Sequence, residues 1–120
     1  MQKTILVADD DPVLVRILQR AIEDAGYRVV TARDGEDALK KIESECIDLV
    51  LLDIQMPKMH GYSFIFKMRK IEGRHDIPVI VLTANQQMKD LFVAEGVREY
   101  IVKPCSSQEL LLKIKQHINS

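Results

Sequence analysis

Short runs of apolar residues recur along this chain, and each stops at a polar side chain. Thr4-Ile5-Leu6-Val7-Ala8 stops at Asp9 and Asp10. Leu49-Val50-Leu51-Leu52 stops at Asp53, Val79-Ile80-Val81-Leu82 at Thr83, and Tyr100-Ile101-Val102 at Lys103. Runs without polar alternation read as strands buried on both faces, as parallel sheets require. Amphipathic stretches of roughly 10–15 residues separate them, the pattern of βαβ units. Right-handed crossovers then place helices on both faces of one sheet. In such an α/β sheet the carboxyl ends of the strands share one edge, where ligands bind.

The helical stretches carry their own signals. Asp11-Pro12 opens the first, with Asp at the N-cap and Pro in the first turn. Val13, Leu14, Ile17, Leu18, Ala21 and Ile22 follow at helical spacing, and Gly26 is its expected C′ residue. Tyr27 to Ala32 reads as the second strand. Asp34-Gly35 reads as a turn and Glu36 to Glu45 as the second helix, with Ala38, Leu39 and Ile42 inward. Asp48 begins the third strand. Met56-Pro57-Lys58-Met59-His60-Gly61 reads as a loop, followed by a helix from about Tyr62 to Ile71 with Phe64, Ile65 and Met68 in the core. A short fourth helical stretch spans roughly Gln86 to Glu95. Its Met88, Leu91, Phe92 and Val93 divide between core and, where exposed, a partner-docking patch. Ser106 or Ser107 caps the last helix, which carries Leu110, Leu111, Ile114 and Ile118.

The chain has 120 residues, which predicts one domain over 1–120. Its formal charge is −1, from 17 basic and 18 acidic residues, so no global field favours nucleic acid or an anionic membrane. No run is long enough to span a membrane. The basic groups Lys67, Arg69 and Lys70 read as a solvated helix face. Cys46 and Cys105 lie far apart without a CxxC spacing, and both read as small buried or half-buried thiols in a reducing cytoplasm. His60, His75 and His117 lack ligand spacing and read as surface residues.

Function starts with Asp9, Asp10 and Asp53. If their strands are neighbours, the carboxylates face one another. Two like charges about 5 Å apart repel by about 3 kcal/mol at an effective dielectric near 20. A bound cation offsets that, and Mg²⁺ suits oxygen ligands and often uses only one or two carboxylates. Capping accounts for Asp11 but not for Asp53. Lys103 facing these acids can neutralise charge or hold a phosphoryl oxygen. Thr83 can donate a hydrogen bond there.

The chain resembles the receiver domains of two-component response regulators, the CheY-like superfamily, over essentially its whole length. The matching pieces are Ile5-Leu6-Val7-Ala8-Asp9-Asp10-Asp11-Pro12, Leu51-Leu52-Asp53-Ile54-Gln55-Met56-Pro57, Val81-Leu82-Thr83-Ala84 and Tyr100-Ile101-Val102-Lys103-Pro104. The resemblance implies a flavodoxin-like doubly wound (βα)5 fold with a parallel sheet of order 2-1-3-4-5. It implies that Asp53 accepts a phosphoryl group from a histidine kinase or histidine phosphotransfer protein. Asp10, Asp53 and the Gln55 carbonyl match the Mg²⁺ ligands, with Mn²⁺ as a substitute, and Asp9 matches a partner acting largely through water. Lys103 matches the lysine that pairs with the acceptor, Thr83 the switch hydroxyl and Tyr100 the switch aromatic. Lys103-Pro104 matches a bond that is cis in the family. Gln55 and Asn85 match positions that tune hydrolysis. The stretch from Thr83 to Gly96 is shorter than the family's usual spacing, and Cys105 stands where the family often has Phe.

The implied partners are a kinase or phosphotransfer donor and a downstream target or fused output domain. The implied state is a monomer or a weak phosphorylation-dependent dimer, without direct contact to nucleic acid or membrane. The chain would catalyse only its own phosphorylation and dephosphorylation. Two other classes compete. An aspartyl-phosphate phosphohydrolase typically carries a second Asp two residues after the nucleophile, where this chain has Gln55. An unphosphorylated docking module usually lacks an acid, the acceptor or the lysine, all of which are present here. No GxGxxG or GxxxxGK[ST] motif supports nucleotide or flavin binding of those kinds.

Overall fold

A computed structural model describes residues 2–53, 61–71, 76–83, 97–103 and 105–118. The strands are β1 (Thr4–Ala8), β2 (Arg28–Ala32), β3 (Leu49–Asp53), β4 (Val79–Thr83) and β5 (Glu99–Val102). The helices are α1 (Pro12–Asp24), α2 (Gly35–Ser44), α3 (Gly61–Met68) and α4 (Ser107–Ile118). All strand pairs are parallel, in the order β2-β1-β3-β4-β5. This is the expected doubly wound sheet. The fourth helical stretch anticipated near 86–95 lies outside the described residues.

Side chains within each central strand alternate between two cores. Leu6, Ala8, Val50, Leu52, Val79 and Val81 pack with α2 and α3, around Phe64, Ile65 and Met68. Ile5, Val7, Leu49, Leu51, Ile80 and Leu82 pack with Leu18 and Ile22 of α1 and with Leu110, Ile114 and Ile118 of α4. Both faces are covered, which is why these strands have no polar face to show.

Caps set the ends. The Asp11 carboxylate accepts from the Val13 and Leu14 amides at 3.0 and 3.3 Å, starting α1 just beyond the acidic pair. Gly26 follows the α1 cap with φ +100°, a left-handed conformation that glycine adopts without steric cost. The Ser106 hydroxyl accepts from the Glu109 amide at 3.1 Å, so Ser106 rather than Ser107 caps α4. Asp34-Gly35 is not a separate turn. Asp34 is the N-cap of α2, accepting from the Asp37 amide at 2.8 Å, and Gly35 is the first helical residue.

Other boundaries and exposures move by physical causes. Asp48 precedes β3 rather than starting it, because its carboxylate accepts the Thr4 amide at 2.8 Å. Tyr27 donates its amide to the Ile22 carbonyl and closes α1, so β2 begins at Arg28. Regular α3 stops at Met68, where Lys70 and Ile71 turn back to the carbonyls of Lys67 and Met68. Val13 and Ile17 are 65% and 55% exposed, one stripe of α1 turned away from the sheet. Cys46 is exposed rather than buried, since Ile47 takes the inward position; Cys105 is half-buried, and both thiols are free. His117 is half-buried against Glu99 at 3.2 Å rather than free on the surface. Arg69 is not purely solvated either: its guanidinium donates to the Ile77 carbonyl at 2.7 Å.

Candidate functional site

The sheet register assembles the site. Ala8 pairs with Leu52, so Asp9 and Asp53 leave neighbouring strands side by side. Asp53 in turn pairs with Leu82, and Thr83 pairs with Val102. The Lys103 amide donates to the Thr83 carbonyl at 2.8 Å, which carries the ladder one step beyond β5. The Asp9 amide does the same for β1, donating to the Ala32 carbonyl at 3.1 Å. Polar residues that end four separate apolar runs therefore share one rim.

One ligand oxygen from each of Asp9, Asp10 and Asp53 lies within 4.8 Å of the others. Asp9 and Asp53 are buried and Asp10 is exposed, so the cluster is walled below and open above. The Lys103 ammonium reaches in from β5. It stands 3.0 Å from Asp9 Oδ2 and 3.7 Å from Asp53 Oδ2. The other Asp9 oxygen accepts from the Asp11 amide at 3.0 Å. Thr83 is buried on the same rim, and Tyr100 is half-buried against the α2/α3 core.

Burial by itself lowers the Lys103 pKa, and it is the largest single influence. The hydrogen bond to Asp9 and the charges of Asp53, Asp9 and Asp10 together outweigh it and hold the ammonium above the usual lysine value. Lys103 is thus a fixed cation. Three carboxylates still face one ammonium, so negative charge remains to be offset. The donor set is hard oxygen from carboxylates with room for water, which fits Mg²⁺.

Of the residues singled out from sequence, Asp9, Asp10, Asp53, Thr83 and Lys103 come together. Gln55, Ala84, Asn85 and Pro104 lie outside the described residues. So do His60, His75 and the apolar group Met88, Leu91, Phe92 and Val93. One feature escaped the sequence reading: Asp9 is the nearer of the two acids to Lys103. Chain order carries no signal for that choice, because it depends on the reach of a side chain across two intervening strands.

A family model described as the response regulator receiver domain matches residues 5–115. The alkaline phosphatase synthesis transcriptional regulatory protein PhoP of Bacillus subtilis is 39% identical over 117 residues, covering 96% of this chain and 48% of that protein. A probable transcriptional regulator, ycf27, of Cyanophora paradoxa is 42% identical, covering 95% and 47%. The chain spans about half the length of these curated relatives. Among solved structures, the receiver domain of a sensor histidine kinase from Pseudomonas aeruginosa PAO1 superposes with a TM-score of 0.91 at 30% identity, covering 100% of both chains. That structure has a magnesium ion coordinated in its active-site cleft. A CheY-like receiver domain protein from Methanospirillum hungatei superposes with a TM-score of 0.92 at 32% identity, covering 99% of this chain and 95% of that one.

Proposed function

The chain belongs to the response regulator receiver domain family, and from that premise we propose that Asp53 is its phosphoacceptor and that 1–120 acts as one receiver unit. The observation that carries this reading is the meeting of Asp9, Asp10 and Asp53 with Lys103 bridging two of them. Receiver domains of response regulators act as signalling switches rather than as enzymes turning over a free substrate.

In the proposed reaction a carboxylate oxygen of Asp53 attacks phosphorus in line. A P–O bond to Asp53 forms as the donor's P–N or P–O bond breaks, and the leaving group departs with the electron pair. Phosphoryl transfer asks the protein mainly for positioning and charge stabilisation. Lys103, already held by Asp9, meets an oxygen of the incoming group. Asp9, Asp10 and Asp53 would hold Mg²⁺, with the Gln55 carbonyl as the further ligand taken from the resemblance. When bound, that ion offsets charge on the transferring phosphoryl oxygens.

The product carries roughly −1.5 to −2 charge and strong acceptor oxygens. In this reading Thr83 donates its hydroxyl to them and Tyr100 is the aromatic that follows, as the resemblance implies. The consequence is a population shift at the surface built by the helical stretch anticipated near 86–95, by β5 and by α4. The donor is a histidine kinase or histidine phosphotransfer protein, in the cytoplasm. The relatives are transcriptional regulators about twice as long, which supports an output domain or a separate target protein as the receiver of the signal.

Asp53→Asn tests the acceptor role. The variant should keep the wild-type far-UV spectrum and take up no phosphoryl group from acetyl phosphate. Uptake at full stoichiometry by the variant would place the acceptor elsewhere.

A further inference from the structure

Asp11 ends the acidic run that follows β1, and it is exposed. It is not among the acids whose oxygens converge, which are Asp9, Asp10 and Asp53. Its hydrogen bonds instead tie the first turn of α1 to that cluster. The Asp11 amide donates to Asp9 Oδ1 at 3.0 Å. The Asp11 carboxylate accepts from the Val13 and Leu14 amides. The Asp11 carbonyl accepts from the Val15 amide at 3.0 Å, which opens the α1 ladder.

Asp10 therefore lies between two fixed points. On one side the Asp9 amide is bonded to the Ala32 carbonyl at 3.1 Å, and the Asp9 carboxylate is held at both oxygens, by the Asp11 amide and by Lys103. On the other side Asp11 is held by α1. Asp10 itself is exposed, so its carboxylate is directed mainly by the backbone on either side. Without the cap, the Val13 and Leu14 amides lose their acceptor and the first turn opens more often. Each opening releases the Asp11 amide from Asp9 and lets Asp10 turn away from the cluster. Affinity for a cation then falls with the fraction of molecules whose site is assembled.

We propose that Asp11 is a positioning residue for the divalent cation: by capping α1 it holds Asp9 and Asp10 in the arrangement that binds Mg²⁺, without itself being a ligand. This rests on the metal site of the proposed function and not on phosphoryl acceptance at Asp53.

The test compares Asp11→Ala with Asp11→Asn. Both remove the same charge, but Asn at an N-cap accepts the helix amides and Ala does not. The ¹⁵N-labelled wild type and both variants are titrated with MgCl2 in the absence of any phosphoryl donor, and their amide spectra verify the fold. Asp11→Ala should bind Mg²⁺ about threefold to fivefold more weakly than Asp11→Asn, the ratio that loss of a typical cap can produce. Coupling is reciprocal, so saturating Mg²⁺ should slow solvent exchange of the Val13 and Leu14 amides in the wild type. Equal affinity of the two variants would overturn the role of the cap, and a shared loss relative to the wild type would assign the effect to charge alone. Exchange at Val13 and Leu14 that ignores Mg²⁺ would overturn it as well. A wild type that binds no Mg²⁺ would instead remove the metal site itself, and this role with it.

Discussion

Lys103 lies within ion-pair distance of two acids from two different strands, and its side chain is a quarter exposed. Asp9 is nearly sealed, with its side chain 1% exposed. Among the described residues, removing the lysine leaves that carboxylate buried with only the Asp11 amide. Lys103→Met should therefore destabilise the metal-free protein by about 2 kcal/mol, less than a fully buried pair would cost. Asp9→Asn should recover part of that loss in the Lys103→Met background. A double-mutant cycle in urea reads the coupling, and strictly additive effects would contradict it. The contribution also has a pH signature. The folded ammonium keeps its proton above the ordinary value of 10.5. The stability it adds is thus fully present below about pH 10.5 and is lost as pH rises through the folded value. From neutral pH up to that point the gap between wild type and Lys103→Met should stay constant, and it should close above it. A gap that closes near neutral pH would show that another group is responsible. At this scale the sequence was informative about identity and poor about pairing. Asp9, Asp10, Asp53 and Lys103 were legible because each interrupts an apolar run. The Lys103–Asp9 bond was not, because it is made across the β3 and β4 ends.

The elements were legible wherever a local cause sets them. Asp11, Asp34 and Gly26 fix helix ends by contacts within their own turn. Asp11→Ala should cost about 1 kcal/mol through loss of the α1 N-cap. Gly26→Ala should cost about 1 kcal/mol as well, though an added Cβ would meet nothing within 4 Å. That loss would be pure backbone strain at φ +100°. Gly26→Asn should therefore cost less than Gly26→Ala, because Asn tolerates the left-handed region better. Equal stability of all three proteins by thermal unfolding would contradict it. Tertiary causes were not legible. Val13 and Ile17 have helical spacing and apolar chemistry, yet they stand in solvent because the α1 stripe facing the sheet is filled by Leu18 and Ile22. β3 starts one residue later than expected because Asp48 bonds across to β1.

The sheet order brings four polar strand ends to one rim, and the whole molecule then holds more negative charge there than Lys103 can balance. Binding to the folded state stabilises by mass action, about 2.7 kcal/mol at a hundredfold excess over the dissociation constant. Mg²⁺ at such an excess should raise the unfolding temperature of the wild type. Asp10→Ala should abolish most of that rise, and an unchanged rise would remove Asp10 from the metal site. The most direct test of the proposed switch is the intact mass of the protein after incubation with acetyl phosphate, with Mg²⁺ and with chelator. Borohydride trapping and peptide mapping locate any acyl phosphate. The expected result is a gain of one phosphoryl group, dependent on Mg²⁺ and mapped to Asp53. A gain that maps to another residue, or no gain from any donor while Mg²⁺ is bound, would contradict phosphoacceptance at Asp53.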